Sequence, residues 1–71
     1  MKRRFEFVGG NSAKFWEVTV AQATVTVCFG RLGTNGQTNT KSFGDSEAAQ
    51  KHADKLIEQK LGKGYVECQQ V

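Results

Sequence analysis

The residues able to carry covalent chemistry are few and lie far apart in the sequence. The chain has two cysteines, Cys28 and Cys68, and one histidine, His52. A nucleophilic site would need His52 beside Cys28 or a serine, with an acid to orient it, and the spacing indicates no such arrangement. There is no C-x-x-C pair and no second histidine, so zinc-ligand spacing is absent, and a cluster of these three residues is only a remote alternative. We therefore expect no enzyme activity, no catalytic or metal site and no cofactor.

A glycine-rich segment, residues 30–36 (GRLGTNG), offers a different kind of chemistry. A phosphate-binding P-loop would require G-x-x-x-x-G-K-[ST] followed by a helix, and this segment has neither. The recurrence of glycine at every third position favours a turn whose residues adopt positive φ. Clustered amides beside Arg31 could nevertheless form an anion-binding concavity.

The segment that follows, residues 37–43 (QTNTKSF), is polar on both faces until Phe43. Its hydroxyl groups and Lys41 are of the types that commonly contact phosphate. The same composition is typical of any solvent-exposed strand. We therefore predict either an edge strand or a strand on an exposed face, with a phosphate contact at Lys41 as one interpretation.

Length and charge limit the possible functions. Seventy-one residues make a single domain, residues 1–71, with a thin core and little interior for a deep cleft. Ten Lys and Arg against seven Asp and Glu give a net charge of +3. That excess makes contact with polyanions easier without requiring it.

The expected compartment is the cytoplasm. The basic start, residues 1–4, is followed by Glu6, Gly9 and Gly10, so the apolar stretch of a signal peptide is absent. No run approaches 18 apolar residues, and we expect no membrane association. Two cysteines are too few for a typical small secreted scaffold, which favours a reducing environment.

Period-two alternation predicts the strands. Residues 3–8, 14–20 and 24–29 alternate in this way, and a short strand over 65–67 closes the chain. Trp16 shares one face with Val18 and Val20, which leaves Phe15 on the other. The Ala-Gln-Ala break at 21–23 is a hairpin by pattern alone, because it lacks the usual turn residues.

Helical periodicity begins after Gly44, with Asp45 or Ser46 as the N-cap. The apolar stripe consists of Ala49, Ala53, Leu56, Ile57 and Leu61. The helix should end at Gly62 or Gly64, and the Lys60 stem should lie along the sheet with its amine in water. One helix cannot cover both faces of the sheet. The predicted fold is therefore α+β, a twisted antiparallel sheet of four to five strands packed by one α-helix on one face.

Residues 29–37 (FGRLGTNGQ) resemble the core of the WGR domain, which is named for a Trp-Gly-Arg motif followed by a hydrophobic residue, Gly and Thr. The similarity continues upstream into residues 15–18 (FWEV). Downstream it includes the polar segment ending in Phe43, the alanine-rich helix and residues 63–65 (KGY). It covers residues 13–67 or so, most of the chain.

The resemblance implies the same sheet-and-helix fold. The family occurs in eukaryotic DNA-dependent poly(ADP-ribose) polymerases, where it contacts DNA near a break, and in bacterial proteins that include small free-standing ones. In the polymerases the motif tryptophan packs on the sugar–phosphate end of DNA, and the arginine makes polar contacts nearby. Those roles would fall here on Phe29 and Arg31. Phe29 lacks the indole N–H and alternates with Val25 and Val27, so both a stacking role and a core role stay open.

Two functional hypotheses follow. The first is a free-standing module that binds nucleic acid, DNA in preference to RNA, through backbone contacts. Arg31 and Lys41 would hold phosphates, Phe29 would stack on a sugar or an end base, and the amides of Gly30 and Gly33 would donate. The second is a protein-docking or homodimerisation module that uses the exposed sheet face, with Phe15 as an exposed contact, or the polar edge strand.

Overall fold

The computed structural model describes residues 1–68, and within them the chain forms one five-stranded antiparallel sheet and one helix. The elements in chain order are β1 (Lys2–Gly9), β2 (Ser12–Ala21), β3 (Thr24–Arg31), β4 (Gln37–Ser42), α1 (Ser46–Gly62) and β5 (Val66–Cys68). The strands lie in the order β4-β3-β2-β1-β5. Three hairpins therefore build most of the sheet, and α1 carries the chain from one edge to the other. The predicted α+β architecture is confirmed.

The helix packs on one face of the sheet, against β2 and β3. Asp45 is the N-cap, and its Oδ1 accepts a hydrogen bond from the Ala48 amide at 2.7 Å. Ala49, Ala53 and Ile57 are buried, as the stripe predicts. Leu61 was predicted to join them but is 48% exposed. The prediction for Leu61 was wrong: at this end of the helix the residue that lies over the sheet is Lys60, with its Nζ 5.7 Å from the Trp16 ring centroid.

The core lies between the helix and the strand residues whose side chains point toward it. Phe5 pairs with Trp16 across β1 and β2, and their ring centroids are 5.7 Å apart. Trp16 pairs in turn with Phe29 on β3. Since directly opposite residues share a face, Phe29 lies on the helix side together with Val25 and Val27. The alternation predicted for β3 is confirmed.

The other face of the sheet, here called the open face, carries no helix among the described residues. Phe15 was expected to be exposed there but is only 4% exposed. The connection after β3 folds over it, so that a Cβ added to Gly36 would lie 2.7 Å from the Phe15 Cζ. The guanidinium carbon of Arg4 lies 4.7 Å from the ring centroid. Phe15 is therefore covered on the open face and offers no docking contact.

The β2–β3 hairpin has an unusual backbone conformation. The β2–β3 hairpin places Gln22 at φ +54°, a conformation unusual for a residue with a side chain.

All six residues of β4 are exposed, which confirms the predicted polar edge strand. Within residues 1–68, α1 is neither long nor apolar enough to span a bilayer.

Candidate functional site

The cations of the described residues fall into two groups. Those that form ion pairs with carboxylates are Lys2, Arg3, Arg4 and Lys51. The remaining six, Lys14, Arg31, Lys41, Lys55, Lys60 and Lys63, have no carboxylate within 4.0 Å among residues 1–68. The unpaired group is the one available to an external anion.

Four of the unpaired cations gather at one end of the molecule. Lys14 and Arg31 are directly opposite each other on β2 and β3, and both line a hollow of about 650 Å³ together with Lys60. Lys14, Lys60 and Lys63 line a smaller adjoining hollow of about 230 Å³. We call the two together the cationic hollow. Tyr65 lines both parts, and Phe29 lines the larger one.

Lys60 is the most enclosed of these cations. Its Nζ lies 5.7 Å from the Trp16 ring centroid and 5.3 Å from that of Tyr65. Burial lowers the pKa of Lys60, and the positive charges of Lys63 and Lys14 lower it further. Lysines at the carboxyl end of α1 interact favourably with the helix dipole, which partly offsets this repulsion. A bound anion would favour the charged form of Lys60 and would offset the remaining repulsion among the three lysines.

The backbone on either side of the Arg31 side chain is held firmly. The Arg31 carbonyl accepts hydrogen bonds from the Thr34 amide at 3.1 Å and from Thr34 Oγ1 at 2.7 Å. The Leu32 amide donates to the Ala13 carbonyl at 2.9 Å. The Arg31 side chain itself is exposed. A fixed backbone with an exposed guanidinium reduces the ordering cost of binding an anion.

Gly30 and Gly33 play different parts in this corner. Gly30 lies within β3 opposite Phe15, two positions from the Leu32–Ala13 hydrogen bond. The antiparallel alternation therefore directs the Gly30 amide to β2. A Cβ at Gly30 would lie 2.8 Å from the Gly36 Cα, so this position needs glycine for packing. Gly33 has φ +88° and open space around it, so its amide is the better placed of the two to meet a ligand.

The sequence matches the model of the WGR domain over residues 1–71. The chain belongs to the WGR domain family. It is 39% identical over 67 residues to the uncharacterized protein YfeS of Escherichia coli K12, covering 94% of this chain and 28% of YfeS. It is 42% identical over 65 residues to the E. coli protein YehF, covering 92% of this chain and 24% of YehF.

A crystal structure of a Bacteroides fragilis protein superposes on the chain with a TM-score of 0.94 at 48% identity. The superposition covers 97% of this chain and 20% of that protein. The WGR domain described here thus spans between a fifth and a third of the length of each of these three relatives.

The Phe-Gly-Arg segment of this WGR domain lies at the border of the cationic hollow. Phe29 is half-buried, packs against the core and also lines the hollow. Lys41 lies outside it, on β4, with its Nζ 5.4 Å from the Phe43 ring centroid. Lys41 lines a separate groove of about 560 Å³ that shares Phe29 and Lys60 with the hollow. Of the predicted site residues, Phe29, Gly30 and Arg31 therefore line the hollow and Lys41 lines the adjacent groove, whereas Gly33 lines neither.

Sequence reasoning missed three cations of the hollow: Lys14, Lys60 and Lys63. Lys14 carried a usable signal, because it alternates with Trp16 and so belongs to the helix-side face. Its position opposite Arg31 depends on the pairing register, which the sequence alone does not state. The packing of Lys60 along the sheet was expected, but its approach to Lys14 was not.

The cysteines and the histidine are separated in the WGR domain. Cys28 and Cys68 are free thiols on β3 and β5, with two strands between them. By cross-strand register both lie on the open face, whereas His52 is on α1, where it packs against Phe43 at 4.9 Å between ring centroids. Residues 1–68 contain no group of three or more His, Cys, Asp or Glu side chains able to hold a metal ion.

Proposed function

We propose that this WGR domain is a non-enzymatic module that binds nucleic acid, DNA in preference to RNA, through the sugar–phosphate backbone. The observation that carries the proposal is the convergence of Lys14, Arg31, Lys60 and Lys63 on one hollow without a carboxylate partner among residues 1–68. Membership of a family associated with nucleic acid supports it. The preference for DNA rests on the resemblance to the DNA-dependent polymerases.

The residues of the hollow suit a phosphate chain better than a single small anion. Arg31 can donate two parallel hydrogen bonds to one phosphate. Lys14, Lys60 and Lys63 act as point charges for the phosphates on either side. The exposed part of Phe29 would contact a sugar. The Gly33 amide adds a donor at the tip of the turn, and Lys41 extends the positive surface beyond Phe29.

Fluorescence anisotropy with labelled blunt, nicked and single-stranded oligonucleotides, of DNA and of RNA, tests the proposal. Three to four neutralised phosphates predict a log–log salt slope of about −3 to −4 on duplex DNA. No binding to any of them at about 100 μM protein in low salt would contradict it, since that is the upper end of non-specific affinities.

A pair of matched double variants separates the hollow from overall charge. Lys14→Gln with Arg31→Gln removes two cations from the hollow. Lys2→Gln with Lys51→Gln removes two cations that are exposed and paired elsewhere, with side chains 56% and 79% exposed. Only the first pair should reduce the salt slope, by about 2. Equal losses from both pairs would indicate general charge attraction and no defined site.

A second candidate function is homodimerisation through the β4 edge. All six residues of β4 are exposed, and on its outer side the strand has no neighbour in the sheet order of residues 1–68. Pairing with a second copy would extend the sheet. Lys41 works against this, because lysine on an edge strand opposes edge-to-edge association. Light scattering that shows a dimer, with no oligonucleotide binding, would favour this candidate.

A further inference from the structure

The groove beside the cationic hollow has the surface chemistry of a base-binding site. It lies between α1 and the β3–β4 part of the sheet, and we call it the side groove. Its apolar residues include Val27, Phe29 and Leu56, and its polar ones include Asn39 and Gln59. The volume of about 560 Å³ is within the ordinary range for small-molecule sites.

The side groove exists because the helix leaves the β4 edge uncovered. α1 packs mainly against β2 and β3, and no residue of β4 is buried. Val27 and Leu56, half-buried side chains on the helix-side face of β3 and on α1, therefore stay open to a ligand. The Asn39 and Gln59 amides are exposed and make no side-chain hydrogen bond within residues 1–68.

A nucleobase matches this arrangement. Its two faces are planar and suited to apolar contact, whereas its edges carry donors and acceptors. The Asn39 and Gln59 side chains each offer both a donor and an acceptor. A base in a duplex cannot reach such a groove, because its faces are stacked and its pairing edge is occupied. The groove therefore suits an unpaired base.

The side groove is continuous with the cationic hollow. Trp16, Phe29 and Lys60 line both, so a phosphate in the hollow and a base in the groove can belong to neighbouring parts of one strand. Lys41 adds a positive charge to the groove itself. Charge and continuity thus favour a nucleotide there over an apolar peptide, which would leave both lysine amines without an anion.

Resting on the proposed function, we infer that the side groove receives the base of an unpaired nucleotide whose strand is held in the cationic hollow. The domain then prefers DNA with an unpaired overhang, or a single strand, over a blunt duplex of the same charge density. The phosphate contacts provide most of the affinity, and the groove provides the preference for unpaired ends.

Anisotropy with one duplex, blunt or extended by two unpaired nucleotides at its 5′ or 3′ end, tests this inference. Hydrogen bonds from Asn39 and Gln59 to the edge of one base predict about tenfold tighter binding of an extended duplex. Asn39→Ala with Gln59→Ala should abolish most of that gain and leave blunt binding unchanged. The matched control, Thr38→Ala with Ser42→Ala, alters the same strand on the open face and should keep the gain.

The outcomes separate the inference from the proposed function. Salt-dependent binding with equal affinity for blunt and extended duplexes would overturn the inference and leave backbone binding intact. A gain that persists in the Asn39/Gln59 variant would place the base elsewhere and overturn it as well. Failure of every oligonucleotide to bind would remove the proposed function and the inference together.

An NMR titration with adenosine 5′-monophosphate gives a second measurement that needs no variant. The inference predicts shifts at Val27, Asn39 and Leu56 that ribose 5-phosphate does not produce, together with shifts at Arg31 from both ligands. Identical shifts from the two ligands, or none in the side groove, would contradict base binding there.

Discussion

The open face and one end of the helix-side face differ in how their cations are paired, although elsewhere on the helix-side face Arg3 pairs with Glu67 at 2.7 Å. On the open face, Arg4 contacts Glu6 at 3.2 Å and Glu17 at 3.6 Å, and Lys2 contacts Glu17 at 3.8 Å. At the end of the helix-side face, Lys14 and Arg31 have no carboxylate partner within residues 1–68. Four of the six cations that lack a carboxylate partner within residues 1–68 are therefore concentrated in one place.

The difference separates cations that serve the fold from cations that are available to a ligand. Arg4 covers the Phe15 ring while it neutralises two carboxylates, so its charge is used within the molecule. The Lys60 amine lies near the rings of Trp16 and Tyr65, and Lys63 and Lys14 are neighbouring positive charges. Placing several like charges together costs free energy in the absence of an anion. A surface that binds no ligand therefore explains the hollow poorly.

The largest expected effect concerns Gly36, in the connection between β3 and β4. Gly36→Ala would place a Cβ against the Phe29 carbonyl oxygen and 2.7 Å from the Phe15 ring, at φ +71°. We expect a loss of about 3 kcal/mol of unfolding free energy from the clash and the unfavourable backbone together. Gly33→Ala, with φ +88° and open space, should cost only about 1 kcal/mol. Urea denaturation measures both, and equal losses would show that Phe15 is not covered in this way.

Substituting one arginine from each group of cations tests the comparison directly. Arg4→Gln leaves Glu17, whose side chain is only 16% exposed, with a weaker set of partners, and should destabilise the fold by about 1–2 kcal/mol. It should leave the salt slope of DNA binding unchanged. Arg31→Gln should change stability by less than about 0.5 kcal/mol but lower the slope by about 1. The reverse pattern would contradict the assignment of Arg4 to the stability of the fold and of Arg31 to ligand binding.

The pKa of Lys60 offers a smaller, spectroscopic test. Burial and the neighbouring lysines lower it in the folded state, so between that pKa and the ordinary lysine value the unfolded chain binds more protons. Unfolding free energy should therefore rise with pH across this window, and the rise should weaken in Lys60→Met. An NMR titration should show the Lys60 pKa below the ordinary lysine value in the free protein and closer to that value when DNA is bound. A Lys60 pKa that does not respond to DNA would exclude it from the interface.

The smallest effect is expected at the β2–β3 hairpin, which lies at the opposite end of β3 from Arg31. Gln22 has φ +54°, and asparagine accepts that conformation more readily. Gln22→Asn should raise the unfolding free energy by about 0.5 kcal/mol. DNA affinity should stay unchanged, which makes this variant a control for stability effects in the binding measurements. Any change in affinity would argue that the hollow is not the only contact surface.

Much of the fold was predictable because its signals are local. Alternation in β1, β2 and β3 and the stripe in α1 depend only on residues a few positions apart, and these elements formed where the pattern indicated. The N-cap at Asp45 depends on its neighbours in the same way. The imbalance between one helix and four to five strands followed from counting, and it correctly indicated a sheet with one face that carries no helix within residues 1–68.

The site was only partly predictable. Arg31 and Phe29 could be singled out by their motif, and both line the cationic hollow. Their role in binding stays a prediction. Phe15 and Leu61 were misplaced, because whether a side chain is covered depends on which distant segment folds over it. The connection after β3 covers Phe15, and at the helix end Lys60, and not Leu61, lies over Trp16.

The sequence by itself determined the periodicity of each element, the exposed character of β4 and the net positive charge. Only the tertiary structure decided that Lys14 lies opposite Arg31 and that Lys60, in the last turn of α1, lies beside them. Periodicity is set by the geometry of a single strand or helix, whereas convergence needs a register and a helix crossing. Those depend on how the whole core packs.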